Sequence, residues 1–194
     1  ILKTVAMENV VDLPKKAFQI SIEKLKEAGA KISEISVSSV GEAMDLTGLL
    51  YSPEAYATWK DKIEKSPDLM FAKILERFRS GANILASDFI HAWDKLIDLR
   101  QQYNSKVEEY DAVLIPTSPI MPPEIGRLMD DGDFYNTQNL LALRNTRIGN
   151  LMGGCSITLP TNTPSCGLLI MGRPNEEERL LRIGQACELV LARN

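Results

Sequence analysis

The chain has 194 residues, 44% of them hydrophobic and 25% charged, with a net charge of -4 and a pI near 5.2. That is apolar material for one sizeable core, and the composition is not that of a disordered chain. An acidic balance argues against a nucleic-acid backbone or an anionic membrane as the main partner, and no apolar run approaches the roughly 20 residues of a membrane-spanning helix.

Residues 2–7, LKTVAM, read as a short strand. Pro14 suits the first turn of a helix, and Phe18, Ile22, Leu25 and Ala28 give that helix one apolar face, with Gly29 as its stop. KISEISVS adds Ile32, Ile35 and Val37 as a second β-prone run, so the start reads as a strand–helix–strand unit. From 42 to 110 the pattern is helical. Ser52 and Pro53 read as N-cap and first turn, Ser66 and Pro67 repeat the device, and Gly81 punctuates the chain. Ser87 or Asp88 then caps a long helix through Phe89, Ile90, Trp93, Leu96, Ile97, Leu99 and Val107. Such a block would form an outer layer or a lid.

Residues 111–115, DAVLI, read as a fully buried strand. The prolines of PTSPIMPP fix the next stretch as an extended, stiff loop. MDDGDF reads as a solvated acidic turn, and 136–150 as a helix. CSITLP and CGLLIMG follow as strands, joined by the loop TNTPS. Pro174 stops the second strand, Asn175 can cap, and EEERLLRIGQACELVLAR is a helix with acidic residues in its first turn.

Little of the reactive inventory points to catalysis. Cys155, Cys166 and Cys187 form no CxxC pair, so reduced thiols in a cytoplasmic compartment are expected. His91 is the only histidine, which excludes a histidine metal cluster or paired-His catalysis, and nothing calls for a cofactor. Cys155 and Cys166 each head an apolar strand, where a free cysteine acts as a small buried hydrophobe; a cysteine hydrolase built on Cys155 ranks far below the other readings. Asp130, Asp131 and Asp133 lack the spacing of a calcium loop, and Glu176, Glu177 and Glu178 read as helix-terminus charges. No base can be assigned to Thr117 or Ser118.

The polar candidates are Arg144 and Arg147, one helical turn apart, with Asn145, Thr146 and Asn150 beside them. Two guanidiniums on one face can clamp a carboxylate or a carbonyl. They can equally pair with the protein's own acids or cap strand-end carbonyls. Both readings stay open here.

Three stretches in order resemble the end of an amidase-signature enzyme: YDAVLIPTSPIMPP at 110–123, ALRNTRIGNLMGGCSITLP at 142–160, and CGLLIMGRPNEEERLLRIGQACE at 166–188. AGAKISEI resembles a strand–helix unit of the same family, while 42–109 matches only in helical character. The resemblance extends to the A subunit of glutamyl-tRNA amidotransferase and to allophanate hydrolase. It implies an α/β fold, a mixed β-sheet flanked by helices, with residues 1–194 as the C-terminal portion of the domain. It also implies an amide C–N hydrolase acting through a Ser-Ser-Lys triad. The family's Gly/Ser-rich stretch with its two serines, and the upstream lysine, do not occur in this sequence. A chain that begins in mid-protein, without an initiator Met, fits that gap.

On this resemblance Arg144, Asn145, Thr146, Arg147 and Asn150 border the substrate pocket, together with the loop 116–123. Arginines stand where some members carry an acidic residue, so a substrate with a carboxylate or carbonyl-rich group is expected. The implied partners are a small-molecule amide, the missing N-terminal half and a second copy in a homodimer. The rival reading is a non-catalytic αβ binding or scaffold module.

Overall fold

The stretches around 113 and 169 are apolar at successive positions, so as strands they demand cover on both sheet faces. In the computed structural model, which describes residues 1–192, β1 (Val113–Pro116), β2 (Ser156–Pro160) and β3 (Gly167–Met171) form an antiparallel sheet in the order β1-β3-β2. Leu114 lies opposite Ile170, and Ile115 opposite Leu169. Alternation then sends Val113, Ile115, Leu169 and Met171 into one core, and Leu114, Leu168 and Ile170 into another.

The first core is closed by α2 (Ser38–Asp45), α5 (Ala86–Val107) and α8 (Arg144–Met152), through Val40, Leu96, Leu99, Tyr103, Ile148 and Leu151. The second is closed by α1 (Asp12–Glu27) and α9 (Glu177–Leu191), through Phe18, Ile22, Leu25, Leu180 and Leu191. Each fully buried side chain of this size contributes about 1.5–3 kcal/mol. Helices on both sides of a sheet make the chain α/β, as expected. Among the described residues, parallel pairing is limited to one bridge, Leu2 to Ile35.

That bridge is all that forms of the two strands expected at the start. Lys3 N–H donates to Ile35 O at 2.9 Å and Ile35 N–H to Ile1 O at 2.9 Å. The chain then turns away through Val5 (φ 60) and Asn9 (φ 48), a conformation that ends ladder pairing. α1 forms as expected, and Gly29 closes it in the left-handed region (φ 99).

The helical block runs through α3 (Thr47–Lys65) and α4 (Ala72–Ser80) into α5. α3 starts before the expected cap, so Pro53 lies inside the helix and not at its head. The next pair, Ser66 and Pro67, opens only a single 3-10 turn, Pro67–Leu69. α5 has Leu85 at its N-cap with no side-chain cap, and Ser87 and Asp88 lie inside the helix. Its buried face is Ala92, Leu96, Leu99, Tyr103 and Val107, while Ile90 and Ile97 are exposed.

The acidic turn is a corner between two helices. α6 (Ile125–Asp130) ends there, and Asp131 caps α7 (Gly132–Ala142) by accepting from Phe134 N–H at 2.9 Å. The single helix expected over 136–150 is divided at Leu143 into α7 and α8. Asn175 adopts a left-handed turn (φ 62) and Glu176, not Asn175, stands at the N-cap of α9. Cys155 and Cys166 are half-buried, against the expected full burial, because both lie just outside the strands they head.

Candidate functional site

α8 carries the five polar candidates named from the sequence, Arg144, Asn145, Thr146, Arg147 and Asn150, and its two ends do different things. At its head Asn145 is 0% exposed. Its amide Nδ2 donates to Ala6 O at 3.0 Å and Pro116 O at 2.7 Å, and its Oδ1 accepts from Arg144 Nε at 3.1 Å. Arg144, 8% exposed, also donates from Nη2 to Ala6 O at 3.3 Å. Burial pulls the Arg144 guanidinium below its usual pKa, with Glu8 acting in the opposite sense. Together Arg144 and Asn145 tie the start of α8 to the end of β1 and to the N-terminal segment.

Farther along, Thr146, Arg147 and Asn150 line an open cavity of about 370 Å³ between α3, α4, α7 and α8. Tyr51, Arg77, Leu140 and Leu143 line it as well, and no carboxylate does. Thr146 Oγ1 donates back to Leu143 O at 3.2 Å, which leaves its lone pairs to the cavity. The Arg147 guanidinium makes no hydrogen bond or ion pair among the described residues. With its amide oxygen turned toward Arg77, Asn139 accepts from Nη1 at 2.7 Å and Nη2 at 3.0 Å. That partner is neutral and leaves the charge of Arg77 uncompensated.

Burial lowers the pKa of Arg147 from its usual value; Tyr51 raises it and Arg77 lowers it further. A guanidinium starts so high that it remains a cation at neutral pH. The Tyr51 phenol is pushed up by burial, with Arg147 and Arg100 pulling it back. The cavity is therefore lined by two cations and no anion. Leu140 and Leu143, 48% and 47% exposed, add apolar surface to its lining. Such an arrangement can bind an anion with an apolar part, but it contains no nucleophile–base pair.

The remaining candidates have local roles. Thr117 Oγ1 pairs with Thr158 Oγ1 at 3.3 Å, and Ser118 Oγ bonds within its own turn to Ile120 O at 3.1 Å. Cys155 Sγ approaches Arg173 O at 3.2 Å, and His91 is exposed on α5. No group of three metal-ligating side chains occurs among the described residues, and no described helix is long and apolar enough to cross a membrane. Tyr51, Arg77, Leu140 and Leu143 were not legible as site residues. Tyr51 and Arg77 lie on separate helices, Leu140 on a third and Leu143 at its end, and no spacing in the sequence joins them.

A model of the Amidase family matches residues 3–181. The chain belongs to the Amidase family. It is 27% identical over 183 residues to a 2-amino-5-chloromuconic acid deaminase of Comamonas testosteroni, covering 90% of this chain and 39% of the relative. It is 28% identical over 202 residues to the A subunit of glutamyl-tRNA(Gln) amidotransferase from Acidobacterium capsulatum, covering 90% and 42%. The chain thus spans about two-fifths of the length of these relatives. Its fold matches Kluyveromyces lactis allophanate hydrolase with a TM-score of 0.81 at 17% identity, over 100% of this chain and 33% of the other. It matches a 6-aminohexanoate cyclic dimer hydrolase with a TM-score of 0.78 at 18% identity, over 99% and 45%. The Amidase family match and the fold shared with allophanate hydrolase agree with the resemblance drawn from the three motifs.

Proposed function

We propose that this chain is the C-terminal, substrate-selecting part of an amidase that hydrolyses a carbon–nitrogen amide bond. The Ser-Ser-Lys triad lies outside the 194 residues, so the chain alone is inactive. Its substrate is a small amide with a carboxylate beside the scissile group and an apolar body. Arg147 and Arg77 meet the carboxylate, and Tyr51, Thr146 and Asn150 border it. Leu140 and Leu143 cover the apolar part, while Arg144 and Asn145 act through the helix they anchor. Its partners are that amide, the half carrying the triad and a second copy in a homodimer. Free thiols suit a reducing cytoplasmic setting.

The observation that carries this reading is a cavity with two guanidiniums and no carboxylate, in which Arg147 has no partner among the described residues. Desolvated cations without a counter-ion are costly unless a ligand supplies one. A relative whose substrate is an acid by name, the Comamonas testosteroni deaminase, fits the same picture.

Kinetics of Arg147→Ala in the intact enzyme test it. Losing one charge-assisted hydrogen bond, about 1.5–3 kcal/mol, should raise KM for a carboxylate-bearing amide roughly 10- to 100-fold. The uncharged analogue should be little affected. Equal changes for both substrates would remove the carboxylate from the proposal.

A further inference from the structure

Arg100, on the long helix α5, lies across the C-terminal end of α8. Its Nε donates to Leu151 O at 2.6 Å and its Nη2 to Asn150 O at 3.4 Å. Its guanidinium carbon stands 5.5 Å from the centre of the Trp93 ring. The last carbonyls of a helix have no partner within it, and a cation at that end is favoured by the helix dipole. A planar fork can reach two successive carbonyls at once, which an ammonium does less well.

The backbone just beyond Leu151 is fitted to this contact. Gly153 ends α8 in the left-handed region (φ 71, ψ 16), and a Cβ there would come within 3.3 Å of Arg100 Cζ. Asn150 and Tyr51 border the cavity that holds Arg147. They also border a second one of about 240 Å³, whose wall includes Trp93 and Arg100. Arg100 thus stands directly behind the wall the substrate would meet, on the far side from Arg147.

We propose that Arg100 is a positioning residue for this cavity: by holding the carbonyls of Asn150 and Leu151 it fixes the last turn of α8, and with it the placement of Asn150 and Arg147. This rests on the substrate reading above and deepens it. Arg100 touches no substrate itself. Its positive charge also bears on Tyr51, which shares both cavities.

The test compares Arg100→Ala and Arg100→Lys with the intact parent enzyme, using a carboxylate-bearing amide and its uncharged analogue, with and without low-millimolar guanidinium chloride. Arg100→Ala should raise KM for the charged substrate about tenfold while kcat changes far less, and added guanidinium should restore KM. Arg100→Lys, which keeps the charge without the fork, should fall between, and it serves alone if the alanine variant does not fold. Hydrogen exchange at Gly153 and Gly154, whose N–H groups bond to Asn150 O and Gly149 O, should quicken in the same variants. A lower melting temperature with KM unmoved, or a KM that rises equally for both substrates, would overturn the proposal. If Arg147→Ala shows no loss of discrimination, the carboxylate reading falls by itself. Exchange together with KM for whichever amide is turned over then decides Arg100: quickened exchange with a raised KM supports it, and any other result overturns it.

Discussion

Asn145 shows how much one buried side chain can organise. Its amide supplies two carbonyls that no strand partner reaches, Ala6 O and Pro116 O. Replacing it with Ala would strand Pro116 O in the interior and leave Ala6 O only its longer bond from Arg144 Nη2 at 3.3 Å, and an unsatisfied buried acceptor costs about 1–3 kcal/mol. Asn145→Ala should therefore lower unfolding free energy by about 1–3 kcal/mol, as read from urea denaturation. A loss below about 1 kcal/mol would mean that water reaches those carbonyls. The sequence placed Arg144 and Arg147 as equals, one turn apart. Their environments separate them: Arg144 is spent on Ala6 and Asn145, while Arg147 opens on the cavity.

Among the elements, the junction of α3 and α4 decides whether the cavity has a second wall. An ideal Cβ on Gly81 would lie 2.1 Å from Ser52 O and 2.6 Å from Pro53 N, so the backbone after α4 packs on α3 where only glycine fits. The requirement is one of space, since Gly81 has an ordinary helical φ of −63. The bidentate pair of Arg79 with Glu64, at 2.9 and 2.6 Å, fastens the same two helices. Gly81→Ala should cost on the order of 3 kcal/mol by overpacking and loosen α4, which carries Arg77. Limited proteolysis would then cut first between 66 and 85, and unchanged cutting with an unchanged melting temperature would refute the close approach. This junction was not legible beforehand. Ser-Pro reads locally as a helix start, and only packing reveals that α3 has already begun.

Across the molecule as a whole, two cores share one sheet, and the first contains a buried ionisable group. Tyr103 is 6% exposed, and burial raises its pKa well above the ordinary tyrosine value of about 10. Above that pH the unfolded chain releases a proton that the folded chain retains, so the unfolded state binds fewer protons and stability falls as pH rises. The contribution is complete below about pH 10 and is lost on going upward through the folded value. Tyr51 and the thiols of Cys187 and Cys166 are raised by burial too and act in the same direction. Urea midpoints measured upward from about pH 10 should decline, and Tyr103→Phe should flatten the decline. An identical slope in the variant would place the titration elsewhere.

Local patterns in the sequence were enough for the three strands, α1, the long helix α5 and α9, because each is written in a period of apolar residues or in a stop signal, while the α/β class came with the family resemblance. Three motifs in a fixed order were enough for the family. Packing settled the order β1-β3-β2 and the reduction of the N-terminal strands to a single bridge. It likewise settled the division of the expected helix at Leu143 and the meeting of Tyr51, Arg77, Leu140 and Arg147 around one cavity. Local periodicity says which face of a segment turns inward. Which faces meet depends on contacts between residues far apart in the chain, and no short-range pattern encodes those.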